Sequence, residues 1–169
     1  LPGTHSKWVE VDQGRIQRFM TFMTGESYAL FLQNSILSAA IEPGDFCQSA
    51  FNEGLDLSRR SQALTHLLFS ARTRFLKGEL SGQVVESYLS GLLIGHEISA
   101  ARQFFKSAEA ITVIASEPLA KRYSAALEAT GAAVQQLRGA DTAQRGQLAI
   151  ARAKLLLSGV SVSYTHLTL

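Results

Sequence analysis

The sequence is poor in the features that mark several protein classes. Its 169 residues include one cysteine, three prolines and one tryptophan. The single cysteine, Cys47, excludes an intramolecular disulfide and fits a reducing compartment, so we expect a cytoplasmic protein. No apolar stretch approaches the roughly 18 residues of a membrane span, and no charged-then-apolar leader follows Leu1, so no membrane partner is expected.

Neither positive nor negative charge dominates the chain. The formal net charge is +2, and the basic residues fall in scattered pairs on predicted helices, such as Arg59-Arg60 and Lys121-Arg122. This pattern favours solvated helix faces over a nucleic-acid groove. With 46% apolar and 18% charged residues, the composition is that of one globular domain with a hydrophobic core.

Clusters that would indicate metal or nucleophilic chemistry are missing from the pattern. The histidines at 5, 66, 96 and 166 do not have metal-ligand spacing, and no Ser/His/Asp or Cys/His arrangement can be argued. His96 and Glu97 are adjacent on a predicted apolar helix, and we interpret them as a satisfied buried pair. The sequence therefore predicts no metal site and leaves the catalytic residues unknown.

Periodicity and turn residues predict an α/β domain. Strands are predicted over 6–12, 15–23, 110–115 and 133–137. Helices are predicted over 24–37, 45–54, 64–77, 85–105, 118–130 and 141–157, with Thr24, Asp45 and Asp141-Thr142 as N-terminal caps. The order is a hairpin, several helices, and then strand, helix, strand and helix.

Three turns have the composition of anion sites. Gly3-Thr4-His5-Ser6-Lys7 enters the first strand, where glycine permits close backbone approach, Thr and Ser add hydroxyl donors and Lys7 adds a positive charge. It lacks the spacing of a Walker loop. Thr24-Gly25-Glu26 begins a helix after a strand. Ala115-Ser116 is a strand-to-helix turn, the place where open α/β sheets bind ligands. By composition alone an ordinary turn is the simpler interpretation of residues 3–7, and a plain helix start explains Thr24-Gly25-Glu26 equally well.

Residues 2 to about 153 resemble the C-terminal half of the 2-dehydro-3-deoxygalactonokinases, in the actin-like, hexokinase-like superfamily. Six segments carry the resemblance: Pro2-Gly3-Thr4-His5-Ser6-Lys7-Trp8-Val9; Thr24-Gly25-Glu26; Phe51 with Gly54-Leu55; Tyr88-Leu89-Ser90-Gly91-Leu92-Leu93-Ile94-Gly95-His96-Glu97; Leu119 with Arg122-Tyr123; and Asp141-Thr142-Ala143. Their order and separations are those of the family.

The resemblance implies a two-lobed kinase with an actin-like (ribonuclease H-like) C-terminal lobe on the ATP side. Such an enzyme transfers the γ-phosphoryl group of Mg-ATP to the 6-hydroxyl of the sugar acid 2-dehydro-3-deoxygalactonate. Gly3-Thr4-His5-Ser6, with Lys7, would bind phosphate, and Thr24-Gly25-Glu26 would face the interlobe cleft. Ala115-Ser116 would lie on the nucleotide side, where Ser116 replaces the glycine that is usual in the family.

The resemblance also implies missing parts. The first phosphate loop, the general base and the strand before Gly3 would belong to segments outside this chain. We therefore expect residues 1–160 to be the ATP-side lobe, incomplete at its first strand and inactive alone. Residues 161–169 match one reading frame of a common sequencing adapter and are expected to be a foreign tail. Two alternatives stay open: a kinase of another sugar or sugar acid, and a non-enzymatic actin-like ATP-binding module.

Overall fold

The computed structural model describes residues 1–60, 63–105 and 110–157, and it opens with a β-hairpin. Strand β1 (Ser6–Asp12) pairs antiparallel with β2 (Arg15–Phe22). Gln13 and Gly14 connect them with φ of 49° and 73°, the left-handed pair that a tight two-residue hairpin turn requires. The predicted hairpin is confirmed. The expected foreign tail, residues 161–169, lies outside the described residues.

A helical layer follows the hairpin. It contains α1 (Thr24–Asn34), a 3₁₀ turn (Ile36–Ala40), α2 (Gln48–Ser58), α3 (Leu64–Leu76), a short 3₁₀ turn (Gly82–Val84) and α4 (Val85–Phe104). Among the helices of the described ranges, none is both long and apolar enough to cross a membrane.

The predicted boundaries of α1 and α2 are wrong. Helix α1 ends at Asn34 instead of 37, because the Ser35 hydroxyl accepts a hydrogen bond from the Leu37 amide and starts the 3₁₀ turn. Helix α2 begins after Cys47 instead of after an Asp45 cap, and it continues beyond Gly54 to Ser58. The Cys47 amide donates to the Ser87 hydroxyl at 2.9 Å, which ties the entry of α2 to α4.

The second half of the chain is a βαβ unit with a further helix. Strand β3 (Ala110–Ala115) leads into α5 (Glu117–Glu128), which has Pro118 in its first turn, and then into β4 (Ala133–Arg138), parallel to β3. Helix α6 (Gly139–Leu157) follows at once, so it begins two residues before the predicted Asp141-Thr142 cap. Since β3 and β4 are parallel, their carboxyl ends lie at the same sheet edge.

Helix α4 is the centre of the core and is buried on nearly all sides. One group of buried side chains packs its N-terminal half against α3 and the first 3₁₀ turn, and a second packs its C-terminal half against α2, α5 and β3. Close contact between α2 and α4 depends on small residues: an added Cβ would clash with the facing helix at Gly54, at Gly91 and at Gly95.

The two sheets are not hydrogen-bonded to each other in the described residues. A cavity of about 590 Å³ lies between the hairpin and β3, and residues of β1, β3 and the Leu1-Pro2 segment line it. The backbone nitrogen of Leu1 donates to the Lys7 carbonyl at 2.8 Å, and the Lys7 amide donates to the Leu1 carbonyl at 3.1 Å. Leu1 is thus paired with β1 as in an antiparallel ladder.

Candidate functional site

The predicted phosphate turn, residues 3–7, is a tight connection that leads into β1. The Leu1–Lys7 pair closes its base. The Lys7 ammonium donates to the carbonyl oxygen of His5 at 2.8 Å, which keeps the positive charge at the turn. Gly3 faces open space, since a Cβ added there would meet no heavy atom within 4 Å. A phosphate group therefore has room to approach the backbone of Gly3.

The start of α1 packs directly against this turn. A Cβ on Gly25 would lie 2.8 Å from the Cα of Thr4, and the Glu26 amide donates to the Thr4 carbonyl at 2.9 Å. On the surface, His5 Nε2 lies 2.5 Å from Glu26 Oε2. The structure therefore brings together two of the three predicted groups, residues 3–7 and 24–26. The Glu26 amide is occupied by Thr4, so it is not free to bind an anion.

Hairpin geometry explains why these two segments meet. Ser6 is paired with Phe22, so the chain that leaves β2 returns to the level of the residues that precede β1. The Gln13-Gly14 turn sets the pairing of Asp12 with Arg15, but a register shift between Glu10 and Val11 moves the rest of the ladder by one residue, so the turn alone does not fix the Ser6–Phe22 pair.

Beneath the turn lies a buried carboxylate whose hydrogen-bond partners the sequence did not predict. Glu97 on α4 is 1% exposed, and its Oε1 accepts hydrogen bonds from Ser6 Oγ at 2.5 Å and from Trp8 Nε1 at 2.8 Å. Its Oε2 accepts from the Tyr123 hydroxyl on α5 at 2.8 Å. Glu97 is buried and hydrogen-bonded, as predicted, but its partners are these three donors, and the neighbouring His96 is only half-buried. The available signal was a Glu within a run of apolar helix positions, which requires partners when it is buried.

Tyr123 links the same carboxylate to α5. Burial raises the pKa of Tyr123 well above its ordinary value, and the negative charge of Glu97 and the hydrogen bond to it act in the same direction. The nearby hydroxyls of Ser6 and Thr24 oppose part of this rise in pKa. The Tyr123 hydroxyl is therefore a neutral donor to Glu97 on α4.

The third predicted group, Ala115-Ser116, lies at the carboxyl ends of the parallel strands. Ala115 is buried at the end of β3, while Ser116 is exposed and precedes α5 without a side-chain cap. Gly139, which the sequence analysis did not single out, follows β4 at the same edge, and a Cβ there would lie 3.4 Å from the carbonyl carbon of Ala115. Small residues thus meet at this edge, and helix α5 connects it to Tyr123.

The acidic and histidine side chains of the described ranges do not gather into a metal-binding group of three or more. The ion pairs among those residues are mostly exposed, as for Lys121 with Glu117 at 2.8 Å and Arg59 with Asp56 at 3.2 Å. Such surface pairs contribute about 0–1 kcal/mol each and do not define a site. The chemistry available here is hydrogen bonding from backbone, hydroxyl and ammonium donors, which suits a phosphate ligand.

Comparison with known proteins gives consistent matches. Residues 1–150 match the family model described as 2-keto-3-deoxy-galactonokinase. The chain is 37% identical over 153 residues to the 2-dehydro-3-deoxygalactonokinase of Escherichia coli (strain K12) and 36% identical over 157 residues to a probable 2-dehydro-3-deoxygalactonokinase of Rhizobium meliloti (strain 1021). These matches cover 90% of this chain in each case, and 52% and 51% of the relatives.

A crystal structure from Sinorhizobium meliloti gives the corresponding structural match. It is of a protein assigned to the 2-dehydro-3-deoxygalactonokinases, with a TM-score of 0.84 and 35% sequence identity. The match covers 90% of this chain and 52% of that one. The chain therefore spans about half the length of the relatives it matches. The predicted resemblance and the predicted α/β lobe are confirmed.

Proposed function

Because this chain belongs to the 2-keto-3-deoxy-galactonokinase family, we propose that the full-length protein transfers the γ-phosphoryl group of ATP to the 6-hydroxyl of 2-dehydro-3-deoxygalactonate. The observation that carries the proposal is the turn of residues 3–7, held open at Gly3 and packed on the start of α1. Its backbone amides and the Lys7 ammonium are the groups that phosphoryl transfer requires for positioning and for charge stabilisation.

Each segment has a stated role in this proposal. Gly3, Thr4 and His5 present backbone and hydroxyl donors to the ATP phosphates, and Lys7 offsets negative charge beside them. Thr24-Gly25-Glu26 supports the turn from the cleft side, where His5 and Glu26 are in contact. Ala115-Ser116, with Gly139, forms the nucleotide side of the site. Ser116 stands where the family usually has glycine, and its exposed side chain leaves less room for the nucleotide than a glycine would.

Magnesium enters the proposal with ATP. Mg²⁺ is usually held by substrate phosphates, waters and one or two carboxylates, so it does not need an acidic cluster within one lobe. Its role when bound is to neutralise charge on the phosphate oxygens. We place the general base and the first phosphate loop in segments outside this chain, and we infer a cytoplasmic location, where ATP is available and Cys47 stays reduced.

The proposal is tested with the full-length gene product and a coupled ATP assay. We expect ATP-dependent formation of the 6-phosphate of 2-dehydro-3-deoxygalactonate, with slower turnover of the gluconate-derived epimer. Turnover of another sugar alone would identify a different kinase of the superfamily. ATP binding without phosphorylation of any sugar acid would favour a non-enzymatic ATP-binding module and would contradict the proposal.

A further inference from the structure

Glu97 is a buried acidic side chain to which the proposed chemistry has given no role. It is 1% exposed, and all three of its hydrogen-bond donors, on Ser6, Trp8 and Tyr123, belong to other elements. A buried charge is costly to desolvate, and an apolar side chain of similar volume often packs with equal or better stability. The stability of the core is therefore a weak explanation for a carboxylate at this position.

The partners of Glu97 lie on the two sides of the proposed nucleotide site. Ser6 ends the phosphate turn, and Tyr123 belongs to α5, which begins next to Ser116. A helix rises about 1.5 Å per residue, so Tyr123 is about 10 Å along α5 from Ser116. One carboxylate thus joins the phosphate turn to the helix that carries the nucleotide-side turn.

Hydrogen bonding to Glu97 also changes what Ser6 can do. The Ser6 side chain is buried, and its hydroxyl hydrogen is directed to Glu97 Oε1. A hydroxyl has one hydrogen to donate, so Ser6 cannot donate its side-chain proton to a phosphate at the same time. Phosphate binding at the turn is then left to backbone amides, the Thr4 hydroxyl and Lys7, while the Ser6 side chain fixes the end of the turn.

We propose that Glu97 is a positioning residue, which holds the phosphate turn in register with the nucleotide-side end of α5. This inference rests on the proposed function. Phosphoryl transfer depends mainly on alignment, and a misplacement of about 1 Å can reduce the rate on the order of 100-fold. A carboxylate with three donors restrains both elements more firmly than apolar packing, because its hydrogen bonds are directional and charge-assisted.

The test compares Glu97→Ala, Glu97→Gln and Tyr123→Phe in the full-length protein, with kcat and KM measured for ATP. For Glu97→Ala we expect kcat/KM to fall on the order of 10- to 100-fold, mainly in kcat. Glu97→Gln should lose less activity than Glu97→Ala, because its amide oxygen still accepts hydrogen bonds from Ser6 and Trp8. Tyr123→Phe should have about the same activity as Glu97→Gln. Should Glu97→Ala fail to fold, the other two variants decide the question.

Two control variants separate positioning from stability. Glu128→Gln makes the same chemical change at an exposed position of α5, and we expect it to behave as wild type. Leu68→Ala removes a buried side chain from the part of the core around α3, away from Glu97, so it should lower the unfolding temperature without changing kcat or KM. A Glu97→Gln variant with wild-type kcat and KM would overturn the inference. The same holds if Glu97→Gln, like Leu68→Ala, lowers the unfolding temperature but leaves kcat and KM unchanged.

Hydrogen exchange of backbone amides tests the inference independently of turnover. We expect Glu97→Gln to speed exchange at residues 3–7 several-fold and to leave the amides of α3 unchanged. If the wild-type protein phosphorylates no sugar acid, the proposed function fails, and the exchange result still decides whether Glu97 holds the turn. Unchanged exchange at residues 3–7 would overturn the inference.

Discussion

Gly91 on α4 lies against the backbone of Phe51 on α2, so close that a Cβ on Gly91 would be 3.0 Å from the carbonyl carbon of Phe51. The contact is reciprocal along the crossing, since a Cβ on Gly54 would lie 2.9 Å from the Leu92 amide nitrogen. The segment Ser90–Gly95, which carries much of the family resemblance, therefore has a packing role. Its glycines let two helices approach until backbone meets backbone.

This crossing predicts a large stability difference between two glycine-to-alanine changes. Gly91→Ala should lower the free energy of unfolding by about 1–3 kcal/mol or more, because the added methyl overpacks a backbone contact. Gly146→Ala is the matched control: it lies on α6 with nothing within 4 Å of an added Cβ, and it should stabilise by roughly 0.5–1 kcal/mol. Urea unfolding measures both, and equal effects would contradict the packing role.

The same crossing explains where prediction from sequence succeeded and failed. The hairpin and the βαβ unit depend on local signals, Gln13-Gly14 and alternating apolar strands, and both are confirmed. Glycine often ends a helix, so the helix is predicted to stop at Gly54. Gly54 lies inside α2 instead, because tertiary packing requires a small residue there. Glu97 was missed as a hub for a related reason: its partners on β1 and α5 are distant in sequence.

Gly3 and Gly25 are adjacent but should respond differently to substitution. Gly3→Val adds a side chain where the protein leaves open space, so the unfolding temperature should stay near wild type. In the full-length enzyme this substitution should abolish turnover, because the side chain blocks the approach of phosphate to the backbone. Unchanged kcat/KM in the folded Gly3→Val variant would remove the turn from the mechanism.

Gly25→Ala should act first on stability. Its Cβ would lie 2.8 Å from the Cα of Thr4, so either the phosphate turn or the start of α1 must move. We expect a loss of about 1–3 kcal/mol in the free energy of unfolding, measured by urea denaturation, together with reduced turnover. Wild-type stability for Gly25→Ala would show that the turn can move without loss of stability and is not held in place by α1.

Tyr123 makes stability depend on alkaline pH. Its pKa is raised in the folded state, mainly by burial and then by Glu97, whereas in the unfolded chain it titrates near the ordinary tyrosine value of 10.0. The unfolded state therefore loses this proton first, and the stability that Tyr123 provides is complete below about pH 10 and declines above it. We expect Tyr123→Phe to be less stable than wild type at pH 8 and the difference to shrink by pH 11. A difference that is constant between pH 8 and pH 11, measured by urea unfolding, would contradict the raised pKa.

The cavity between the hairpin and β3 is the basis of the last prediction. The facing edges of β1 and β3 have no strand between them in the described residues, and Leu1 already pairs with Lys7 at one end of the gap. Half-exposed apolar side chains, among them Trp8 and Ile111, line the opening. The relatives are about twice as long as this chain. We expect the segment that precedes Leu1 in the full-length protein to fill the gap as a strand.

Residues 1–160 expressed alone should therefore be poorly stable and inactive. Each large apolar side chain left uncovered forgoes about 1.5–3 kcal/mol, and a whole domain is stable by only about 5–15 kcal/mol, so a missing strand can remove most of the margin. Unpaired edges should also promote association of the isolated chain.

Activity should fail independently, because we place the first phosphate loop and the general base outside these residues. Thermal unfolding and ATP-dependent phosphorylation of 2-dehydro-3-deoxygalactonate test the two halves, with the full-length protein as control. A cooperative transition of residues 1–160 at the temperature of the full-length protein would contradict the stability argument, and turnover above background would contradict the division of the active site.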